Sequence, residues 1–134
     1  MDYHKTDFGP DPAVFPVEIA AMNNQTFRTA VWTGCYIQMT LMSIPPCGEI
    51  GMEIHEDTDQ YIRVEQGCAT VWMGECKNKL DFQKKVRRGD GIFIPAGTWH
   101  NILNTGRHCL KISSVYAPPH HPAGTVQFRK EDAR

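Results

Sequence analysis

The stretch that decides the fold is Gly89–Asn104, GDGIFIPAGTWHNILN. Its β-forming residues read as a strand that begins at Gly91 and resumes at Trp99. Pro95 and Gly97 interrupt it. Proline cannot donate to a sheet ladder, and glycine inside a strand weakens it. Such a break is costly in a plain core strand. Something other than a plain sheet position is therefore expected to fix this spacing around His100.

Working outward, the chain from Cys35 onward is a series of short β-forming runs: CYIQMTLMSI, EIGMEIH, QYIRVEQG, CATVWMG, LDFQKKV, GIFIPAG, WHNILN and CLKISSVY. Pro, Gly, Asn and acidic turns separate them. Regular short strands with turn signals predict an all-β sandwich or barrel. Before them, residues 1–30 read as an irregular arm with a short helix opened by Pro16 in PVEIAAMNN. The barrel is expected over residues 31–117, and residues 118–134 form a tail packed on it. The arm and NNQTFRTAVWTG could add a strand to a second copy, which predicts a homodimer.

Strand alternation then places the chemistry. In IGMEIH, alternation puts Ile50, Met52 and Ile54 on one face and Gly51, Glu53 and His55 on the other. In QYIRVEQG, Gln60 shares a face with Ile62 and Val64, where a polar group needs a partner. Tyr61, Arg63 and Glu65 face the opposite way. In WHNILN, His100 shares its face with Ile102. Glu53, His55, Gln60 and His100 are the candidate ligands, and this mix of nitrogen and oxygen donors suits one divalent transition metal (Fe, Mn, Zn, Ni or Co). Each has a plainer reading. His55 could be a solvated turn histidine and His100 a core histidine bonded to a carbonyl. An inward Glu53 without a cation is expensive. Gln60 either ligates through its amide oxygen or orients a ligand from behind.

Composition bounds the function. The chain has 134 residues, 41% hydrophobic and 22% charged, enough for one domain with a real core. A formal charge of −1 with no basic block gives nucleic acid no electrostatic attraction. No apolar run is long enough to span a bilayer, and MDYHKTDFGPDP lacks the order of a signal peptide. A cytoplasmic protein with no membrane partner is expected. Five cysteines without a Cys-x-x-Cys pair argue against a disulfide framework or structural zinc. They are expected to be reduced thiols packed as small hydrophobes.

The residues also carry a family resemblance. Gly89, Pro95, Gly97, His100 and Asn104 match at every position the second motif of the cupins, and the chain resembles a single-domain cupin. In the first motif Glu53 and His55 stand at the two histidine positions, Gln60 at the glutamate position, and Gly67 follows. Together the motifs cover Gly48 to Asn104. The resemblance implies a double-stranded β-helix, or jelly-roll, barrel with a metal inside. It also implies similarity to proteins labelled mannose-6-phosphate isomerase-like.

Three function classes stay open. One is a metal-dependent isomerase or epimerase acting on a small polar substrate such as a sugar or sugar phosphate. The second is a non-haem iron dioxygenase, because Glu53, His55 and His100 make two histidines and a carboxylate. The third is a non-catalytic small-molecule binding or sensing module. No base is identifiable. Tyr36, Gln38, Trp72 and Lys111 are candidate pocket residues, and His120 and His121 could line the mouth or pack as a turn. Lys111, Arg28 or Arg63 could hold a phosphate, although each is more simply a surface charge.

Overall fold

The computed structural model describes residues 6–133; residues 1–5 of the arm and Arg134 of the tail lie outside the described residues. A single α-helix, α1 (Val17–Asn23), precedes nine strands. These are β1 (Arg28–Thr33), β2 (Gln38–Ile44), β3 (Asp59–Gln66), β4 (Cys68–Gly74), β5 (Phe82–Arg87), β6 (Gly91–Ile94), β7 (Trp99–Asn104), β8 (Leu110–Ala117) and β9 (Val126–Gln127). They form two antiparallel sheets, one ordered β6-β3-β8-β2-β1-β9 and the other β5-β4-β7. The fold is the all-β barrel of two facing sheets that the short runs predict, in the jelly-roll form that the resemblance implies. Each run supplies a strand except EIGMEIH, which joins β7 only through isolated bridges at Glu49–Leu103 and Glu53–His100.

Register explains where the core sits. Thr40 pairs with Ser114 and Met42 with Ile112 across β2 and β8, while Ile62 pairs with Ser114 and Val64 with Ile112 across β3 and β8. Paired residues share a face. The inner face of the larger sheet is therefore apolar at one end, with Met42, Ile44, Ile62, Val64, Leu110 and Ile112 all at most 1% exposed. These pack against Ala69, Val71 and Ile102 of the smaller sheet. At the other end the same face turns polar, with Gln38, Thr40, Gln60, Ser114 and Tyr116. On the outer face, Ala21 of α1 packs against Val31 and Leu41.

Two expectations are corrected here. NNQTFRTAVWTG is partnered within its own chain, because β1 pairs with β2 on one side and β9 on the other. The cysteines are free thiols, but Cys35, Cys47, Cys68 and Cys76 are exposed and Cys109 is half-buried, so they do not fill the core. Their positions explain this: Cys35, Cys47 and Cys76 lie in connections between strands, and Cys68 opens β4.

Cys47 has a further cost. The Gly48 N–H donates to the Pro45 carbonyl at 2.9 Å, closing a turn in which Cys47 adopts φ 65°. This is the position of a type II turn that favours glycine, because a Cβ there crowds the following carbonyl. Cys47→Gly is expected to add about 0.5–1 kcal/mol after the greater chain entropy of glycine is deducted. In a domain of this size that is about 2–3 °C in melting temperature. A variant that melts at or below the parent in a thermal scan would show that the turn carries no strain.

Candidate metal centre

The site forms where an irregular strand meets β7. Glu53 N–H donates to the His100 carbonyl at 3.0 Å, and His100 N–H donates to the Glu53 carbonyl at 2.9 Å. This reciprocal pair sets the two side chains on one face of the sheet. His55 follows two residues on, and its carbonyl accepts from the Gly97 N–H at 2.8 Å. Gly97 has φ 80°, so the break in GDGIFIPAGTWHNILN is the turn that lets the chain reach back to His55. Pairing also corrects the alternation argument. Ile50, placed opposite Glu53 by sequence, is 7% exposed and belongs to the core. Gly51, at φ 107°, takes up the phase change between them, and its N–H is held by Asn101 Oδ1 at 3.0 Å.

Three side chains converge. The Nε2 atoms of His55 and His100 each lie 3.4 Å from Glu53 Oε1. Among the described residues this is the group of His, Cys, Asp and Glu that could hold a metal ion, its ligand atoms all within 4.8 Å of one another. His100 is fully buried and His55 is 5% exposed, while the Glu53 side chain is 28% exposed and marks the mouth. The His100 Nδ1 lies 2.9 Å from the Thr98 carbonyl. That contact engages Nδ1 and leaves Nε2 as the ring nitrogen that faces Glu53. Neither Nε2 has a hydrogen-bond partner of good geometry, and nor does His55 Nδ1.

The donors fit a metal. Ligands at about 2.0–2.2 Å from a tetrahedral or octahedral ion stand about 3.0–3.5 Å from one another, which spans the observed 3.4 Å. Burial disfavours the Glu53 carboxylate, but the adjacent His100 and His55 outweigh it and hold its pKa well below the usual carboxylate range. Glu53 is therefore an anion at neutral pH, as a ligand must be. Gln60 stands on the same inner face and is 4% exposed. Its Nε2 donates to Ser114 Oγ at 2.8 Å, and its Oε1 is buried without a partner.

The tail closes over this end of the barrel. Gln38, fully buried, accepts from the N–H groups of His120 and His121 at 3.2 and 2.9 Å and donates to the His121 carbonyl at 2.8 Å. His120 then lies with its ring centroid 4.0 Å from that of His55, and His121 meets Tyr116 edge-on at 5.1 Å. Burial, with the positive Arg28 beside it, pushes His121 down to about 3, so it stays neutral. Burial and the neighbouring His55 lower His120 as well.

Other sequence candidates fall away from the site. Tyr36 is 82% exposed, and Trp72 pairs with Asn101 on the outward face of β4. Tyr61, Arg63 and Glu65 lie on the outer face as alternation requires, and Glu65 there accepts from Arg63 and from Ser113 Oγ. Lys111 and Arg28 are not surface charges: they are 7% and 3% exposed. Lys111 Nζ donates to Ser43 Oγ at 2.9 Å and to the Asn24 carbonyl at 2.5 Å, tying α1 to the sheet. Arg28 faces the lumen. Its direction follows from register, since the adjacent Thr29 pairs with Leu41, which packs with Ala21 on the outer face.

Comparison with known proteins agrees with this geometry. Residues 40–116 match the Cupin domain family, Cupin_2. The chain is 51% identical over 127 residues to the uncharacterized protein YrkC of Bacillus subtilis, covering 95% of this chain and 68% of that protein. The crystal structure of BH2720 from Bacillus halodurans superposes with a TM-score of 0.95 at 50% identity, covering 96% of this chain and 97% of that one. A predicted oxalate decarboxylase from Thermotoga maritima shares the fold, with a TM-score of 0.56 at 21% identity over 63% of this chain and 69% of that one.

Proposed function

The chain belongs to the cupin family, and from that premise we propose that it is a metal-dependent enzyme acting on a small polar substrate such as a sugar or sugar phosphate, by isomerisation or epimerisation. Glu53, His55 and His100 hold one divalent transition metal, and Gln60 completes the set through Oε1. The observation that carries this reading is the pair of unpartnered Nε2 atoms on His55 and His100, both 3.4 Å from one Glu53 oxygen. A buried imidazole with no partner for its lone pair is costly, and a cation removes that cost.

When bound, the metal supplies Lewis acidity that polarises a carbonyl or hydroxyl oxygen. The other roles belong to the chain. Three or four protein ligands leave coordination positions open to substrate. Glu53 contributes the one negative charge of the ligand set, which keeps the centre cationic. The apolar end of the barrel, built on Ile62, Val64 and Ile112, excludes water from one side. His120, its ring tilted against that of His55 at the mouth and exposed, is the side chain placed to accept a proton from a substrate held there.

Gln60 gives a direct test. Gln60→Ala is expected to weaken metal binding by about 10-fold, less than loss of a histidine, because a neutral amide donates weakly. Gln60→Glu adds a carboxylate, so it is expected to tighten binding while making the metal a poorer Lewis acid. Metal affinity by competition with a chelator checks both. Equal affinity in all three proteins removes Gln60 from the ligand set.

A second reading rests on the triad itself, since two histidines and one carboxylate are the donor set of non-haem iron oxygenases. A substrate screen run with and without oxygen separates the two. Turnover of sugars without oxygen and with Mn, Co, Ni or Zn supports the isomerase. Iron-dependent oxygen uptake supports the dioxygenase, and tight ligand binding without turnover supports a binding module.

A further inference from the structure

Among the described residues, eight buried side-chain nitrogen or oxygen atoms lack a hydrogen-bond partner. They belong to Arg28, Thr40, His55, Gln60, His100, Tyr116 and His121. Strand register and ring contacts bring all of these but Arg28 to the polar end of the barrel. A metal accounts for one nitrogen each of His55 and His100 and for Gln60 Oε1. It does not account for Arg28, Thr40 and Tyr116. Native interiors satisfy nearly all buried polar groups, so a cluster of exceptions in one cavity marks a place where something else binds.

Arg28 is the decisive member. Its guanidinium is 3% exposed, and no Asp or Glu among the described residues forms an ion pair with it. Its Nη1 donates to the neutral Gln127 Oε1 at 2.6 Å, and its Nε has no partner. An arginine cannot shed its proton to escape burial. Ala30, two residues on, is the partner of Thr40, so Arg28 and Thr40 leave the same face of the sheet, and the Arg28 charge bears on Tyr116, His120 and His121. Tyr116 is fully buried, and the Ser114 and Thr40 hydroxyls lie against it without completing a hydrogen bond of good geometry.

We propose that Arg28, with the Thr40 and Tyr116 hydroxyls, is an anion subsite for the substrate of the metal centre, and that the substrate carries a carboxylate. This rests on the metal-enzyme reading above and narrows its substrate class from neutral sugars to small hydroxy acids or sugar acids. A carboxylate fits better than a phosphate. Arg28 offers one positive charge and a planar edge that suits a carboxylate fork. The Lys111 ammonium lies on the opposite face of the sheet, engaged by Ser43 and Asn24, and adds no positive charge to this end of the lumen. Both hydroxyls can donate to the same oxygens. The route in passes Glu53 and His120, which are partly exposed.

The test measures binding of three probes, glycerate, glycerol and glycerol 3-phosphate, by calorimetry on manganese-loaded protein, with metal content determined in parallel. Glycerate is expected to bind at least about 10-fold more tightly than glycerol. Arg28→Gln is expected to lose that preference with metal content unchanged. Should Arg28→Gln fold poorly, Arg28→Lys keeps the charge without the fork and is expected to lose most of the preference. Thermal stabilisation of the parent by glycerate gives a further readout that needs no variant. Equal binding of glycerate and glycerol, or glycerate affinity unchanged in both Arg28 variants, overturns the subsite. Tighter binding of glycerol 3-phosphate than of glycerate overturns the carboxylate assignment. A parent protein that takes up no manganese, cobalt, nickel, zinc or iron defeats the metal-enzyme reading instead. Arg28-dependent glycerate binding to metal-free protein would then still uphold the subsite.

Discussion

His100→Ala is expected to strip the protein of its metal. His100 is the candidate ligand that comes from β7, whereas Glu53 and His55 come from one irregular strand, so its loss would open the site rather than thin it. Its geometry is also the most fixed of the three. The ring is fully buried, Nδ1 is held at 2.9 Å from the Thr98 carbonyl, and the backbone exchanges two hydrogen bonds with Glu53. Loss even of a group that only orients a ligand costs about 10–100-fold in metal affinity. Removal of a direct ligand should therefore cost at least about 100-fold. Metal per chain, measured on freshly purified protein, should fall from near one equivalent to a trace. The stabilisation that metal confers on the parent should vanish with it, by about 3–4 kcal/mol where metal stands 100–1,000-fold above its dissociation constant. Melting both proteins with and without chelator separates this from the cavity that the missing ring leaves. A variant that holds metal as well as the parent removes His100, and with it the site, from consideration.

Much of this site was legible because it depends on local rules. His100 follows from the spacing of Pro95, Gly97 and Asn104, and Glu53 with His55 from a period of two residues. Those rules hold over a few residues and then stop. Ile50 was placed on the wrong face because Gly51 shifts the phase, and that shift is held by an Asn101 side chain from another strand. NNQTFRTAVWTG reads as a strand free to join a second copy because the partners of β1 lie far along the chain, β9 beginning at Val126 among them. Arg28 was read as a surface charge for the same reason, since nothing local distinguishes a basic residue aimed into a barrel from one aimed into water. His120 reaches His55 only because Gln38 grips the tail across 82 residues of sequence. Local pattern thus marks the candidate ligands, and long-range pairing sets what surrounds them.

That division predicts where stability resides. Ile112→Ala is expected to destabilise the fold by about 3–4 kcal/mol, within the range for large-to-small changes at sealed core positions. Ile112 sits in the central strand pair of the larger sheet, opposite Met42 on one side and Val64 on the other, and is fully buried. Its neighbours are held by strands on both sides, so they cannot collapse into the space that its missing methyls leave. At roughly 3–4 °C per kcal/mol for a domain of this length, the melting temperature should fall by about 10 °C. Phe93→Ala supplies the contrast. Phe93 lies on β6, an edge strand, and is 72% exposed with only a ring contact to Tyr61. Its removal should cost at most about 1 kcal/mol despite the larger side chain. Urea titrations of metal-free protein measure both differences, with an unchanged slope as the check that the two-state comparison holds. Similar midpoints for the two variants would mean that the apolar end of the barrel is not what holds the sheets together. The polar end, with its unpartnered groups, would then have to be stabilised by some other means.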